Sequence, residues 1–268
     1  MKTSIGDAFG NAVKPFTVQI VGYDRSPTPA LILASGGEVE RISLSTGEKI
    51  GYRLGDRHCA GRLNGDGHVS CPDHRTPRCE IHSRSWVCAR CRGRCSLPIH
   101  ACSAPHAVYL ALFAPDLIKV GVTRRRRIEH RLAEQGADRG AVLEHVVNGR
   151  IARRIERQLA NRYPDRVGVR LKVNSLAASV DTGTWSSQLN RYNPVQTYRL
   201  SYGFSVTQQP IPATIAYGTV IGVKGRLLVL DHGGTEYVTD LRELVGFNVV
   251  DSPDEGPIVQ QGLDAFVQ

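Results

Sequence analysis

The sequence predicts an α+β protein: β-rich ends, a metal-binding Cys/His region, and a basic centre that carries helices. Three observations predict it. Short β-branched runs broken by Gly, Pro and Ser turns fill residues 16–56 and return over residues 194–250. All seven cysteines lie between Cys59 and Cys102, where hydrophobic periodicity is lost. A hydrophobic strand pair then leads into arginine-dense helical segments, and 15 Lys and Arg stand against 6 Asp and Glu between Lys119 and Lys172. That surplus equals the whole formal net charge of +9, so a polyanion would be met here.

A chain of 268 residues has room for one large or two to three small domains. Composition divides it into an N-terminal β segment (1–56), a Cys/His region (57–105), a basic domain (106–172) and a C-terminal β domain with a tail (173–268). No run approaches the roughly 20 apolar residues of a membrane span. The opening MKTSIGDAFGNAVKPF has no continuous apolar stretch before a small-residue cleavage site, so a cytoplasmic location is expected. A reducing compartment favours metal thiolates over disulfides, and an odd number of cysteines cannot pair off completely.

In the first segment FTVQIVGY, ALILAS, EVERISLS and KIGYRLG read as strands, with no helix among them. Past residue 57, Cys, His, Arg and Pro dominate, as where metal replaces a hydrophobic core. The candidate ligands, in order, are Cys59, Cys71, Cys79, His82, Cys88, Cys91, Cys95 and Cys102. Cys79–His82 (CEIH) and Cys88–Cys91 (CARC) have the spacing that clasps one zinc ion from a tight turn. Eight ligands make two tetrahedral sites: Cys59, Cys71, Cys79 and His82 at one ion, and Cys88, Cys91, Cys95 and Cys102 at the other. The alternative is a single site of Cys79, His82, Cys88 and Cys91, and spacing does not choose between them. Either way the zinc is structural, because four protein ligands leave no open position for water.

HAVYLALF (His106–Phe113) and LIKVGVT (Leu117–Thr123) are apolar and β-branched, and Ala114-Pro115-Asp116 between them is a turn, so a hairpin is expected. Whether Tyr109 and Lys119 share a face depends on register and stays open. A helix is expected over Arg124–Ala137, with Ile128 and Leu132 on its buried face. Its arginines sit at a strand-to-helix junction that already favours phosphate. A second helix is expected over Ile151–Tyr163, with Ile151, Ile155 and Leu159 as its apolar stripe and Arg150, Arg154 and Arg157 on another side. Glu156 stands at the edge of that stripe. It is either an ion-pair partner of Arg153 or Arg157, or a ligand for a divalent cation near a bound phosphate. The candidate phosphate-backbone contacts are Lys119, Arg124, Arg125, Arg126, Arg127, Arg154 and Arg157.

The last third returns to strand-like runs, VQTYRLSYGF, TIAYGTVIGV, RLLVLD, TEYVT and FNVV, with HGGT as a hairpin turn. Its 5 basic and 9 acidic residues from Val173 onward suit a structural role, as a small barrel or sandwich pairing with the N-terminal strands.

The ordered set Tyr109 in VYL, Gly121 in KVG, Arg131 in HRL and Glu156 in IERQL resembles the GIY-YIG endonuclease superfamily, especially its short phage-type relatives. There a strand tyrosine, a second strand ending in glycine, an arginine on the first helix and a glutamate on a later helix form the site. The resemblance implies that Tyr109 helps activate the nucleophile, Arg131 binds phosphate and Glu156 ligates Mg2+ or Mn2+. The chain departs from the pattern where the first motif lacks its Gly and Ile, where Lys119 replaces the second tyrosine, and where no clear asparagine follows Glu156. Over roughly residues 50–250, the order of cysteine cluster, HAVYLA, IKVGVT, EQGA and GVKGRLLVLD also resembles a largely uncharacterised family of prokaryotic proteins of unknown function.

These features point to a zinc protein that binds DNA or RNA, with metal-dependent phosphodiester cleavage where the GIY-YIG chemistry is retained. The alternatives are a non-catalytic nucleic-acid-binding protein and a zinc-organised adaptor for a protein partner. GxxxxGK[ST], HExxH and GxSxG are absent, so nucleotide hydrolase, metalloprotease and serine hydrolase have no motif to stand on.

Overall fold

A computed structural model describes residues 17–25, 28–65, 67–83 and 103–251. The N-terminal strands are β1 (Val18–Asp24), β2 (Ala30–Ser35), β3 (Glu38–Ser43) and β4 (Lys49–Arg57), followed by the short β5 (Arg62–Asn64), β6 (Gly67–Val69) and α1 (Glu80–Ser83). The hairpin of the basic region is β7 (His106–Phe113) and β8 (Leu117–Arg124). It is followed by a 3-10 turn (Arg125–Arg127), α2 (Ile128–Gln135), β9 (Arg139–Val146), α3 (Gly149–Leu159), α4 (Val169–Asn174), α5 (Thr182–Tyr192) and β10 (Gln196–Arg199). Then come β11 (Ile211–Pro212), β12 (Ala216–Lys224), β13 (Leu227–His232), β14 (Thr235–Asp240), α6 (Leu241–Leu244) and β15 (Phe247–Asp251).

Among the described residues the strands form two sheets. The larger has 11 strands in the order β11-β14-β13-β12-β4-β15-β1-β2-β3-β6-β5, so the first and last parts of the chain are one hydrogen-bonded surface. The interleaving is antiparallel: β4 pairs with β12 through Tyr52 and Ala216, and β15 runs between β4 and β1. Its main core gathers Ile20, Leu31, Leu33, Tyr52, Leu228 and Leu230, each 2 % exposed or less. At about 1.5–3 kcal/mol per fully buried large side chain, this packing is what joins the two ends of the chain.

The smaller sheet has the order β10-β9-β7-β8, with the apolar HAVYLALF strand inside. Both of its faces are covered, which explains why β7 is hydrophobic at nearly every position. Ala107, Tyr109, Ala111 and Phe113 pack with Ile128 and Leu132 of α2. Val108, Leu110 and Leu112 pack with Ala152, Ile155 and Leu159 of α3 and with Trp185 of α5.

Two helix boundaries differ from expectation for local reasons. Arg124 is the last residue of β8, opposite His106, and Arg125 N–H donates to the Pro105 carbonyl at 2.9 Å, so the α-helix starts only at Ile128. The second helix begins earlier, at Gly149, because the Asn148 side chain accepts from the N–H groups of Arg150 and Ile151.

The two sheets meet where α2 ends. Gly136 closes that helix at φ 73°, and Gly225, in the β12–β13 turn, comes so near that a Cβ on it would lie 2.5 Å from Gly136 N. Beside this contact Lys224 Nζ pairs with Asp138 at 2.8 Å, and Arg25 donates to the Glu134 carbonyl at 2.9 Å. Among the described residues, no helix is long and apolar enough to cross a membrane.

Candidate functional site

Cys59, Cys71, Cys79 and His82 converge, with their ligand atoms all within 4.8 Å of one another. Cys59 follows β4, Cys71 follows β6, and Cys79 and His82 bracket the start of α1, so distant segments are drawn to one point. His82 Nδ1 lies 3.3 Å from Cys59 Sγ and 3.2 Å from Cys79 Sγ. Tetrahedral zinc at about 2.3 Å from sulfur and about 2.0 Å from nitrogen sets ligand separations of roughly 3.5–3.8 Å, so the donor set fits such an ion. Cys59 and Cys79 are buried, and Cys59 Sγ accepts the Cys79 N–H at 3.2 Å. Burial pushes the Cys59 thiol up, and the N–H donor acts against it, toward the thiolate that metal binding needs.

The cluster is tied down to the large sheet. His58 Nδ1 donates to the Cys71 carbonyl at 2.9 Å, and Gln19 of β1 reaches both His58 and the Gly246 carbonyl. Arg78 donates to the carbonyls of Val21 and Gly61. Sequence reasoning missed His58, Gln19 and Arg78 because they act across sheet pairings that no local spacing displays. Cys88, Cys91, Cys95 and Cys102 lie outside the described residues.

On the smaller sheet, Tyr109 pairs with Gly121 and Ala111 with Lys119, which places Tyr109 and Lys119 on one face. Tyr109 is 1 % exposed, and its hydroxyl accepts from Gln135 Nε2 at 2.7 Å. Burial pushes the phenol up from its ordinary value, opposed by Arg131 and Gln135 at its side. Arg131 is half-buried and pairs with Glu134 at 2.9 Å. Glu156 is buried on α3 and accepts from Arg153 at 2.6 Å, the first of its two expected roles. Its charge acts on both Tyr109 and Lys119. Tyr109, Lys119, Arg131 and Glu156 thus come from β7, β8, α2 and α3 to one electrostatic neighbourhood. Among the described residues, Glu156 belongs to no group of three or more clustered His, Cys, Asp or Glu ligands.

Lys119 Nζ donates to the Asp165 carbonyl at 2.6 Å. Burial, reinforced by Arg131, pulls its ammonium down to about 8. Arg124, Arg125, Arg126 and Arg127 are exposed, as are Arg154 and Arg157 on α3. Arg127 is paired with Glu134 at 2.9 Å, whereas Arg124, Arg125 and Arg126 have no ion pair among the described residues.

The family model of DUF2797, a protein of unknown function, matches residues 83–249. The chain belongs to this family. The DUF2797 match takes in the whole smaller sheet with Tyr109, Lys119, Arg131 and Glu156, and extends into β15. It begins one residue after His82, so the Cys59, Cys71, Cys79 and His82 cluster precedes the matched DUF2797 residues. No curated protein and no solved structure matches the chain.

Proposed function

We propose that this DUF2797 protein is a zinc-organised nucleic-acid-binding protein whose smaller sheet is a GIY-YIG-like scaffold. The observation that carries the reading is that Arg131 and Glu156 both act electrostatically on Tyr109, the three in the chain order of the superfamily, with Lys119 on the Tyr109 face of the sheet where the second tyrosine would stand. Gly121 supports it as well, since it leaves room for the tyrosine ring. Exposed Arg124, Arg125 and Arg126 beside this neighbourhood would meet the phosphate backbone, where cationic side chains supply most sequence-independent affinity. Cys59, Cys71, Cys79 and His82 would hold a structural Zn2+, locking the segment between β4 and α1 onto the large sheet.

Cleavage is a second reading, favoured by the charge of Glu156 acting on Tyr109 and Lys119. In it Glu156 would hold Mg2+ or Mn2+ and Arg131 would hold the scissile phosphate. The wild-type geometry favours binding: the phenol is closed off from solvent and Glu156 is engaged by Arg153.

The test is binding and cleavage of single- and double-stranded DNA and RNA by the full chain, with and without Mg2+ or Mn2+. Binding of at least one of these at low salt supports the proposal, and failure to bind any of them overturns it. Metal-dependent turnover that disappears in Glu156→Gln establishes cleavage, and turnover that persists in pure Glu156→Gln removes Glu156 from the chemistry.

A further inference from the structure

Two half-buried lysines lie near Tyr109, and neither is in an ion pair among the described residues. Lys119 gives one of its three N–H donors to the Asp165 carbonyl. Lys172, on α4, gives one to the Gln135 carbonyl at 2.7 Å and lies 4.5 Å from the centre of the Phe113 ring. Gln135 is also the residue whose side chain donates to the Tyr109 hydroxyl, so Lys172 is one residue removed from the phenol.

The charged neighbours of Lys119 are evenly divided, and those of Lys172 are mostly cationic. Lys119 feels Arg131 and Arg153 against Glu156 and Asp165. Lys172 feels Lys119, Arg226 and Arg131 against Asp240. Of those carboxylates, Glu156 is held by Arg153 and Asp240 by Arg226 at 3.0 Å. Burial and these neighbouring charges bring Lys172 down to about 7 and Lys119 to about 8. Half-buried ammonium groups with unspent donors beside other cationic side chains are the complement of a compact anion.

We infer that Lys119, Lys172 and Arg131 form a phosphate-binding subsite beside Tyr109, with Lys172 its contribution from outside the strand–helix motif. The subsite rests on the nucleic-acid reading for the identity of its ligand: it would take one backbone phosphate of the strand that Arg124, Arg125 and Arg126 hold. The carbonyls of Asp165 and Gln135 and the face of Phe113 fix the two ammonium groups in advance, so little side-chain entropy is lost on binding.

The experiment uses inorganic phosphate as probe and NMR of the lysine side chains in the full chain. Phosphate is expected to raise the titration midpoint of Lys172 by about one unit or more, through the added negative charge. Lys172→Met is expected to weaken oligonucleotide binding on the order of tenfold, as for one lost phosphate contact, and Lys172→Arg to restore most of it. An unchanged midpoint in phosphate, with Lys172→Met binding oligonucleotide as the wild type does, overturns the subsite. A midpoint that phosphate raises in a protein that binds no nucleic acid supports the subsite and overturns the nucleic-acid reading. Oligonucleotide binding without any phosphate effect on Lys172 overturns the subsite alone.

Discussion

Gly121 stands opposite Tyr109 in the β7–β8 pair, and a Cβ on Gly121 would lie 2.6 Å from both Cζ and Oη of the phenol. The ring is buried and its hydroxyl is held by Gln135, so it cannot swing aside freely. Gly121→Ala should therefore destabilise the protein by about 1–3 kcal/mol, the range for overpacking a closed core. Denaturant unfolding measures it. The double variant Gly121→Ala/Tyr109→Ala should be markedly less destabilised than the sum of the single changes, because the clash disappears with the ring.

Metal content tests the Cys/His cluster. Purified protein should contain zinc, and Cys79→Ser should lower the stoichiometry by one ion per chain, since it removes one of the four ligands that converge. Chelation should lower the unfolding temperature, because the ion contributes to holding the segment from Cys59 to His82 on the large sheet. Protein purified without any bound transition metal, and unaffected by chelator, would remove the structural role.

Arg153 and Glu156 make a partly buried pair on α3, with side chains 29 % and 11 % exposed. Arg153→Met leaves the carboxylate without its partner and should cost about 1–3 kcal/mol of stability. Arg153→Met/Glu156→Gln should recover part of that loss, since no charge is left stranded. Thermal or denaturant melts of the three variants decide the matter.

The lysines give the phosphate subsite a pH signature. Lys172 loses its proton around pH 7 and Lys119 around pH 8, and only the charged ammonium groups attract phosphate. Affinity for phosphate should fall as pH rises from 6 to 9, with proton uptake on binding in that window, measurable by calorimetry in buffers of different ionisation enthalpy. Unliganded stability should move the other way. Both folded values lie below the ordinary 10.5, so the unfolded chain binds more protons between about pH 7 and 9 and these groups make stability rise with pH there.

Local pattern made the hairpin legible: β7 has the bounds His106–Phe113 that the apolar run and the Ala114-Pro115-Asp116 turn suggest, and β8 runs one residue past Thr123. Ligand spacing and order offered Cys59, Cys71, Cys79 and His82 as one of two candidate groupings, and this set converges. The register of Tyr109 and Lys119 required the actual strand pairing. α5 escaped notice because TGTWSSQLNRY is poor in strong helix formers, and it is stabilised by burying Trp185 with Leu189 packed alongside. β9 also passed unseen: RGAVLEHV is buried on both faces at its start and only partly at its end, so it has neither clean alternation nor a helical stripe. The insertion of β15 between β4 and β1 pairs residues about 190 positions apart, such as Phe247 with Arg57, and no sequence period reports that. Lys172 escaped for a similar reason, since its relation to Tyr109 passes through Gln135 and the face of Phe113.

The most direct test of the central claim is the salt dependence of oligonucleotide affinity, comparing the wild type with the triple variant Arg124→Gln/Arg125→Gln/Arg126→Gln. Wild-type affinity should fall steeply and linearly in log–log form with salt, and the variant should bind more weakly with a slope shallower by about one for each arginine that touches phosphate. A wild type that binds no nucleic acid at low salt, or a variant whose affinity and salt slope equal those of the wild type, would contradict the account.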